Sequence, residues 1–252
     1  MLFRRASEHM KSQNWTAVAI DFLIVVLGVF VAIQVSNWND TRLLKIQGAT
    51  LTEQLLDDLS YEEHQYHILI DYYRGIRDNA KNVTAVLNGK SVLTDESFLI
   101  AAYRATQFAS FPHARATYDE LKSTGTIALI KDRRIRNLAT TLFDNIFDPV
   151  VTEVRGSDYR NIFHEVIPND VQYALSRSCG DRTEIDTNGL LTARDIIYVC
   201  TLDLPSKTIS DAANALRIQP GLIGLLRRRI ASIESSLATF EMVTELTTRI
   251  NP

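Results

Sequence analysis

The sequence predicts an all-α protein: an N-terminal transmembrane helix followed by a bundle of long helices in an outer compartment. Three features lead there. Between Ala17 and Val35 the only strongly polar residues are Asp21 and Gln34. Further on, apolar residues recur at the three- and four-residue spacing of a helix face over long stretches. Proline and glycine, which break helices, number 6 and 10 in 252 residues, and a single short segment, Ile196–Cys200, reads as a strand. Long helices on a membrane stalk bury their apolar faces against one another.

The nineteen residues Ala17–Val35 rise by about 1.5 Å each to roughly 28 Å, close to the roughly 30 Å of a bilayer's hydrocarbon core. Trp15 and Trp38 bracket the run, where indole rings favour the headgroup layer. Arg4, Arg5 and Lys11 precede it, and Arg42 and Lys45 follow. The positive-inside rule then gives residues 1–14 as a cytoplasmic tail, 15–38 as the membrane helix and 39–252 as the outer helical domain. A cleaved signal peptide is the competing reading. The run is longer than a signal core, however, and Ala32-Ile33-Gln34-Val35-Ser36-Asn37-Trp38 offers no small-x-small cleavage site. A core helix of a soluble domain is the other alternative, but the chain's mean hydropathy of −0.05 leaves this run standing apart.

At 100° per residue, Ala17, Asp21, Gly28 and Ala32 share one helix face. Gly28 and Ala32 form a small-xxx-small pair that lets another helix approach. A carboxylate at the bilayer centre costs about 2.5–3.5 kcal/mol on insertion scales, less near the edge. Asp21 is therefore expected to be satisfied against a partner helix, to reach the headgroup layer or be protonated, or to carry a proton.

Beyond the anchor, the segment from about Thr41 to Leu87 places Leu51, Leu55, Leu59, Tyr66, Ile70, Tyr73, Ile76, Ala80, Val83 and Leu87 at helical spacing, uninterrupted by proline. It either continues the membrane helix, with a kink near Asn37 or Gly48, or folds back. Asn88-Gly89-Lys90 is a helix stop. Thr94 caps a helix through about Phe108, with Asp95 and Glu96 at its positive end. After Phe111-Pro112 a helix runs to Ser123, with Gly125 at C′. The apolar run Ile127–Ile130 follows. Asp132 caps a helix that passes through Ile135, Leu138, Leu142, Phe143, Ile146 and Phe147, kinks at Pro149 and resumes through Val150, Val154, Ile162, Phe163 and Val166. Residues 178–210 read as irregular apart from the strand Ile196–Cys200. Ser210 caps a short helix, Pro220-Gly221 interrupts, and a last helix runs from Leu222 to Ile250.

A net charge of −3 with both signs mixed leaves no electrostatic footprint for nucleic acid. The two cysteines, Cys179 and Cys200, both fall in the outer domain. In an oxidising compartment they can close a loop of about 20 residues worth roughly 3 kcal/mol; two separate buried thiols are the alternative. Without a C-x-x-C, neither thiol redox chemistry nor a zinc ribbon has support.

The block QNWTAVAIDFLIVVLGVFVAIQVSNWND carries Asp21 early in the anchor, Gly28 within it, and Gln34, Asn37, Trp38 and Asn39 at its end. Together with TYDELKSTGTIALIKDRRIRNLATTLF downstream, it resembles a group of bacterial single-pass membrane proteins of unknown function. The resemblance covers the first block, about 30 residues, and that second segment. It implies a bacterial inner-membrane protein with a helical periplasmic part, and no activity.

Candidate chemistry is sparse. Glu63 and His67 stand i, i+4 within Glu62–His67 and can hold a metal, but no histidine has the Glu-x-x-His spacing of a di-iron bundle. A solvated polar face explains that cluster better, and also explains Arg133-Arg134-Arg136 and Arg227-Arg228-Arg229. No Gly-x-Ser-x-Gly, phosphate loop or paired base is present. The chain is therefore expected to be no enzyme, to need no cofactor or metal, and to work by contact. Its expected partners are the lipid bilayer and either a second copy of itself or a larger membrane-protein complex, in which it serves as scaffold or accessory subunit. The alternative is a periplasmic small-molecule sensing module that signals through a membrane partner.

Overall fold

In the computed structural model, which describes residues 15–146, 157–187 and 191–248, the apolar segment and the periodic segment after it form one helix. This helix, α1, spans Trp15–Leu87, 73 residues. Helical hydrogen bonding is unbroken through Asn37 and Gly48, where the sequence allowed a kink. The hydroxyls of Thr41 and Thr52 donate to the carbonyls of Asn37 (2.7 Å) and Gly48 (2.6 Å), four residues back. Both residues thus satisfy themselves inside the helical pattern rather than competing with it. At the C-terminal end Gly89 takes φ +67°, and the amides of Gly89 and Lys90 close on the carbonyls of Val86 and Ala85 at 2.9 Å. This is the left-handed cap that Asn88-Gly89-Lys90 predicts.

The chain divides into two units at Thr52/Glu53, further along than the expected boundary at residue 39. The first unit contains the N-terminal part of α1, whose described side chains from Val18 to Gln47 are all exposed.

The second unit is built around helix α2 (Asp95–Ala105). Thr94 caps it, its hydroxyl accepting from the Ser97 amide at 3.1 Å. Every residue from Phe98 to Ala105 is buried, which marks a helix enclosed on all sides. Three later helices pack on it: α5 (Asp158–Val166), α6 (Asn169–Cys179) and α7 (Ser206–Arg217). Between them lie α3 (Ala116–Ser123), a 3₁₀ turn at Thr126–Leu129 and α4 (Arg133–Thr140). Gly125 takes the expected C′ position with φ +69°. The Asp132 carboxylate accepts from the Arg134 amide at 2.7 Å to start α4. The last helix, α8 (Leu222–Thr248), runs antiparallel to α1 within this unit. Arg74 bonds Glu241 at 2.7 Å, Lys81 bonds Glu234 at 2.9 Å, and the Thr248 hydroxyl donates to Glu63 at 2.9 Å. Tyr66, Tyr73 and Phe240 fill the seam, with ring centroids 5.4–5.5 Å apart.

Several sequence expectations need correction. Helix α2 stops at Ala105, short of Phe108, because the carbonyls at its end are taken by side chains. Tyr159 OH donates to Ala102 (2.9 Å), Arg229 to Ala105 (3.2 Å) and Gln107 (2.5 Å), and Arg160 to Thr106 (3.1 Å). Helix α4 ends at Thr140 and passes into a π-helical turn, Thr141–Ile146. Phe147, Pro149, Val150 and Val154 lie outside the described residues, as do residues 1–14 and Ile250, and α5 is a separate helix that begins at Asp158. Helix α6, within which the sequence shows only the stripe Val171, Leu175, Cys179, extends an ordered segment past residue 178. The segment read as irregular contains the hairpin β1 (Arg182–Ile185) and β2 (Leu191–Asp195), antiparallel with a bulge at Glu184/Ile185.

The expected strand Ile196–Cys200 is irregular chain, bent at Tyr198, with no sheet partner among the described residues. Its ties are side-chain ties: Arg104 donates to the Tyr198 carbonyl at 2.8 Å, and Cys200 is bonded to Cys179. It lies over α1 at Gly75, where a β-carbon would fall 2.8 Å from Ile197 Cγ1. Helix α7 starts at Ser206, not at Ser210, with Pro205 at the N-cap, its carbonyl accepting from the Ile209 amide at 3.2 Å.

Arg229, 3 % exposed, is the donor on which the end of α2 most depends. Arg229→Met keeps the stem and removes the donors, and is expected to lower the unfolding free energy by about 3 kcal/mol, read as a lower urea midpoint. Arg228→Met, on a side chain 68 % exposed, is expected to stay within about 0.5 kcal/mol of the parent. Equal effects from the two substitutions would contradict the capping role.

Candidate functional site

The sequence-predicted membrane residues stand on the first unit. Asp21 and Ala32 are exposed, and a β-carbon added at Gly28 would meet nothing within 4 Å. The side chains of Trp15 and Ala17 lie outside the described residues. Trp38 is 66 % exposed. The apolar window in this helix has a mean hydropathy of 2.7 and none of it is buried within the chain, so one helix is long and apolar enough to cross a membrane. Sequence reading missed the continuation of this surface past Trp38, where Leu43, Leu44 and Ile46 are each at least half exposed. Leu43 and Ile46 fall within about 60° of Asp21, Gly28 and Ala32 on the helical wheel. The signal was present as two apolar positions continuing the phase of the face.

In the second unit the two cysteines are joined, with Cα atoms 5.6 Å apart across a separation of 21 residues. The bond ties the C-terminus of α6 to the segment 196–200 and encloses the hairpin between them. Inside that loop Tyr198 is held on both its ring and its hydroxyl. The guanidinium carbons of Arg182 and Arg104 stand 3.4 and 4.9 Å from its ring centroid, and its hydroxyl donates to the Gly180 carbonyl at 2.5 Å. Nearby, the Tyr72 hydroxyl donates to Asp181 at 2.7 Å. Burial is the main cause of a raised Tyr72 pKa, with the Asp181 charge adding to it. Burial likewise pushes the Asp181 carboxyl above its ordinary range, against the lowering effects of the Tyr72 hydrogen bond and of Arg194 and Arg160.

In the Glu62–His67 cluster, Glu62 serves to hold a neighbouring segment in place. Glu62, fully buried, accepts from the Ala114 amide at 2.7 Å and faces His113 Nδ1 at 3.2 Å. Asp58, one turn earlier, accepts from the Thr117 amide at 3.2 Å. Together they hold the connection into α3 against α1. His64 and His67 are exposed, and among the described residues no group of three or more His, Cys, Asp or Glu side chains is placed to hold a metal ion. The basic clusters divide: Arg133, Arg134, Arg227 and Arg228 are solvated as expected, whereas Arg229 is buried because it caps α2.

Among the described residues, grooves of two sizes indent this unit. The larger, about 430 Å³, lies between α5 and α8. Its charges are engaged internally: Arg228 pairs with Asp158 at 3.4 Å, and Arg229 is bound to α2. The smaller, about 280 Å³, lies where the end of α2 meets α5 and α6, and is lined by Tyr103, Gln107, Arg160, His164, Gln172 and Ser176, with Tyr173 at its rim. Among the described residues, no carboxylate lines it. Tyr103 is 7 % exposed, and burial pushes its pKa up to about 12, with the Asp181 charge contributing.

Comparison with protein-family models, with curated proteins and with solved structures returns no match.

Asp181 gives a pH test. A carboxyl whose folded pKa is raised favours the folded state below its ordinary value of about 3.9, and that contribution is lost as pH rises through the raised value. Asp181→Asn keeps an acceptor for Tyr72 without the charge. The melting temperature of the variant minus that of the parent is therefore expected to be more positive at pH 7 than at pH 3. A difference that does not change with pH would show that the carboxyl is not desolvated.

Proposed function

We propose that this chain is a single-pass protein of the bacterial inner membrane, with residues 1–14 in the cytoplasm and the helical unit in the periplasm. It acts by contact, as a scaffold or as the accessory subunit of a membrane complex. One observation carries the proposal: from Val18 to Ile46 the helix presents an apolar surface that no described part of the chain covers. Water does not tolerate an exposed apolar surface of this extent. Lipid covers most of it, but neither a carboxylate at Asp21 nor apolar side chains at Leu43 and Ile46, beyond the hydrocarbon, suit lipid alone. The face they share with Gly28 and Ala32 suits a second helix. The Cys179–Cys200 bond supports an oxidising compartment for the folded unit.

Topology can be read from the chain's own acceptor sequences. Asn39-Asp40-Thr41 and Asn82-Val83-Thr84 lie in the outer part and Asn14-Trp15-Thr16 at the tail. Translation into eukaryotic microsomes is expected to give a glycan-shifted band that Asn39→Gln and Asn82→Gln together remove. A shift removed by Asn14→Gln would instead mean the reverse orientation.

Contact is tested in mild detergent by cross-linking and native mass. The parent chain is expected to appear as a complex, with itself or with a stoichiometric membrane partner. Asp21→Leu and Gly28→Leu are each expected to weaken that complex at least tenfold, and Val26→Leu, on the opposite face, is expected to leave it intact. A parent chain that is monomeric and unchanged by these substitutions would defeat the proposal.

A further inference from the structure

The smaller groove is charged on one side only. Arg160 directs Nη1 to the Thr106 carbonyl (3.1 Å) and lies over the Phe108 ring at 5.0 Å. Its remaining N–H donors have no partner among the described residues. The Tyr103 hydroxyl, on a side chain 93 % buried, makes no hydrogen bond there either. Gln172 fixes the state of His164. Its Nε2 donates to the carbonyls of His164 (2.8 Å) and Ile167 (2.6 Å), which leaves Oε1 as acceptor toward His164 Nδ1 at 2.6 Å. Nδ1 therefore carries the proton, and Nε2 is the atom left for solvent or ligand. Asp181 acts on the groove, influencing Tyr103 and being itself influenced by Arg160, but it is bonded to Tyr72 and is not among the groove's lining residues. Arg177, one turn beyond Tyr173, donates to the Tyr173 hydroxyl at 3.2 Å and adds to the positive side.

We propose that this groove binds a small organic oxyanion of the carboxylate class. The Arg160 guanidinium and the Tyr103 hydroxyl take its oxygens, and the His164 ring borders it. A planar guanidinium matches a carboxylate's two oxygens, and a partly buried hydroxyl without a partner gains by accepting or donating one bond. The volume, about 280 Å³, lies at the small end of ligand sites, so the ligand is a small molecule and not a chain segment. This site belongs to the second unit and stands independently of the anchor.

The test uses the full chain in detergent micelles, with ¹⁵N-labelled arginine and histidine side chains observed by NMR. Sodium benzoate is titrated against sodium chloride at matched ionic strength, with sodium phosphate as a second oxyanion. Saturable shifts at Arg160 and His164 are expected with benzoate and absent with chloride. Binding is expected to weaken at least tenfold in Arg160→Gln and by about tenfold in Tyr103→Phe, and to be unchanged in Lys207→Gln, a side chain 84 % exposed on α7. Arg160 also caps the end of α2, so His164→Gln, on an exposed residue, provides a variant whose folding is not at stake, and it too is expected to weaken binding. Phosphate binding with the same dependence on Arg160 would support the oxyanion site. Shifts that follow chloride, or that persist undiminished in Arg160→Gln and His164→Gln, would overturn it.

Discussion

The free carbonyls at the C-terminal end of α2 impose the constraint around which the folded unit is arranged. A helix enclosed on every side cannot hand its last carbonyls to water, and each one left bare would cost about 1–3 kcal/mol. The chain answers with donors from three separate elements: Tyr159 and Arg160 on α5, Thr106 just past the helix, and Arg229 on α8. Burial draws the Arg229 pKa down from the ordinary arginine value, but the negative end of the α2 dipole favours a cation at this position. The same bonds decide where α2 ends, how α5 is turned and which residue of α8 points inward. The smaller groove is a by-product of this arrangement, since Arg160 caps with one nitrogen and leaves the rest of its guanidinium facing outward.

The two units face opposite physical problems. The second meets most of its buried polar groups with partners of its own, Gln65 Oε1, Arg104 Nε, Arg194 Nε and Ser232 Oγ being exceptions. It covers α2, docks the 109–117 connection through Tyr73, Glu62 and Asp58, and closes the hairpin with a disulfide. In the first, the described side chains from Val18 to Gln47, the Asp21 carboxylate among them, all face outward. An unpartnered helix of this kind joined to a self-sufficient folded unit is what the proposed role in the membrane requires: the helix seeks a partner, and the unit keeps its form without one.

Much of the fold was legible in sequence because it rests on local rules. The membrane-length run, the stop at Gly89, the caps at Thr94 and Asp132 and the break at Pro220-Gly221 each depend on a few neighbouring residues. What was not legible depends on distant partners. The apolar run at Ile196–Cys200 has strand composition, yet its neighbours are Arg104, Cys179 and Gly75, far away in sequence, so it never joins the sheet. Arg229 looks like one third of a solvated basic triplet, and only the position of α2 makes it a buried cap. Glu62 similarly looked like part of a polar face. The candidate groove left no motif, because Tyr103, Arg160 and His164 come from two helices and only the i, i+4 pair Arg160/His164 is adjacent in sequence.

The loop closed by Cys179 and Cys200 has a consequence for how the molecule can be cut. Hairpin strand β1 is exposed along its whole length, and everything from α7 onward, including the helix that carries Arg229, follows the loop in the chain. A peptide bond broken anywhere between the two cysteines still leaves α7 and α8 covalently attached to the rest. The loop is therefore a segment in which a single cut does not divide the chain. After such a cut the sulfur bridge carries the connection, and nicked and intact chains would differ in size only after reduction.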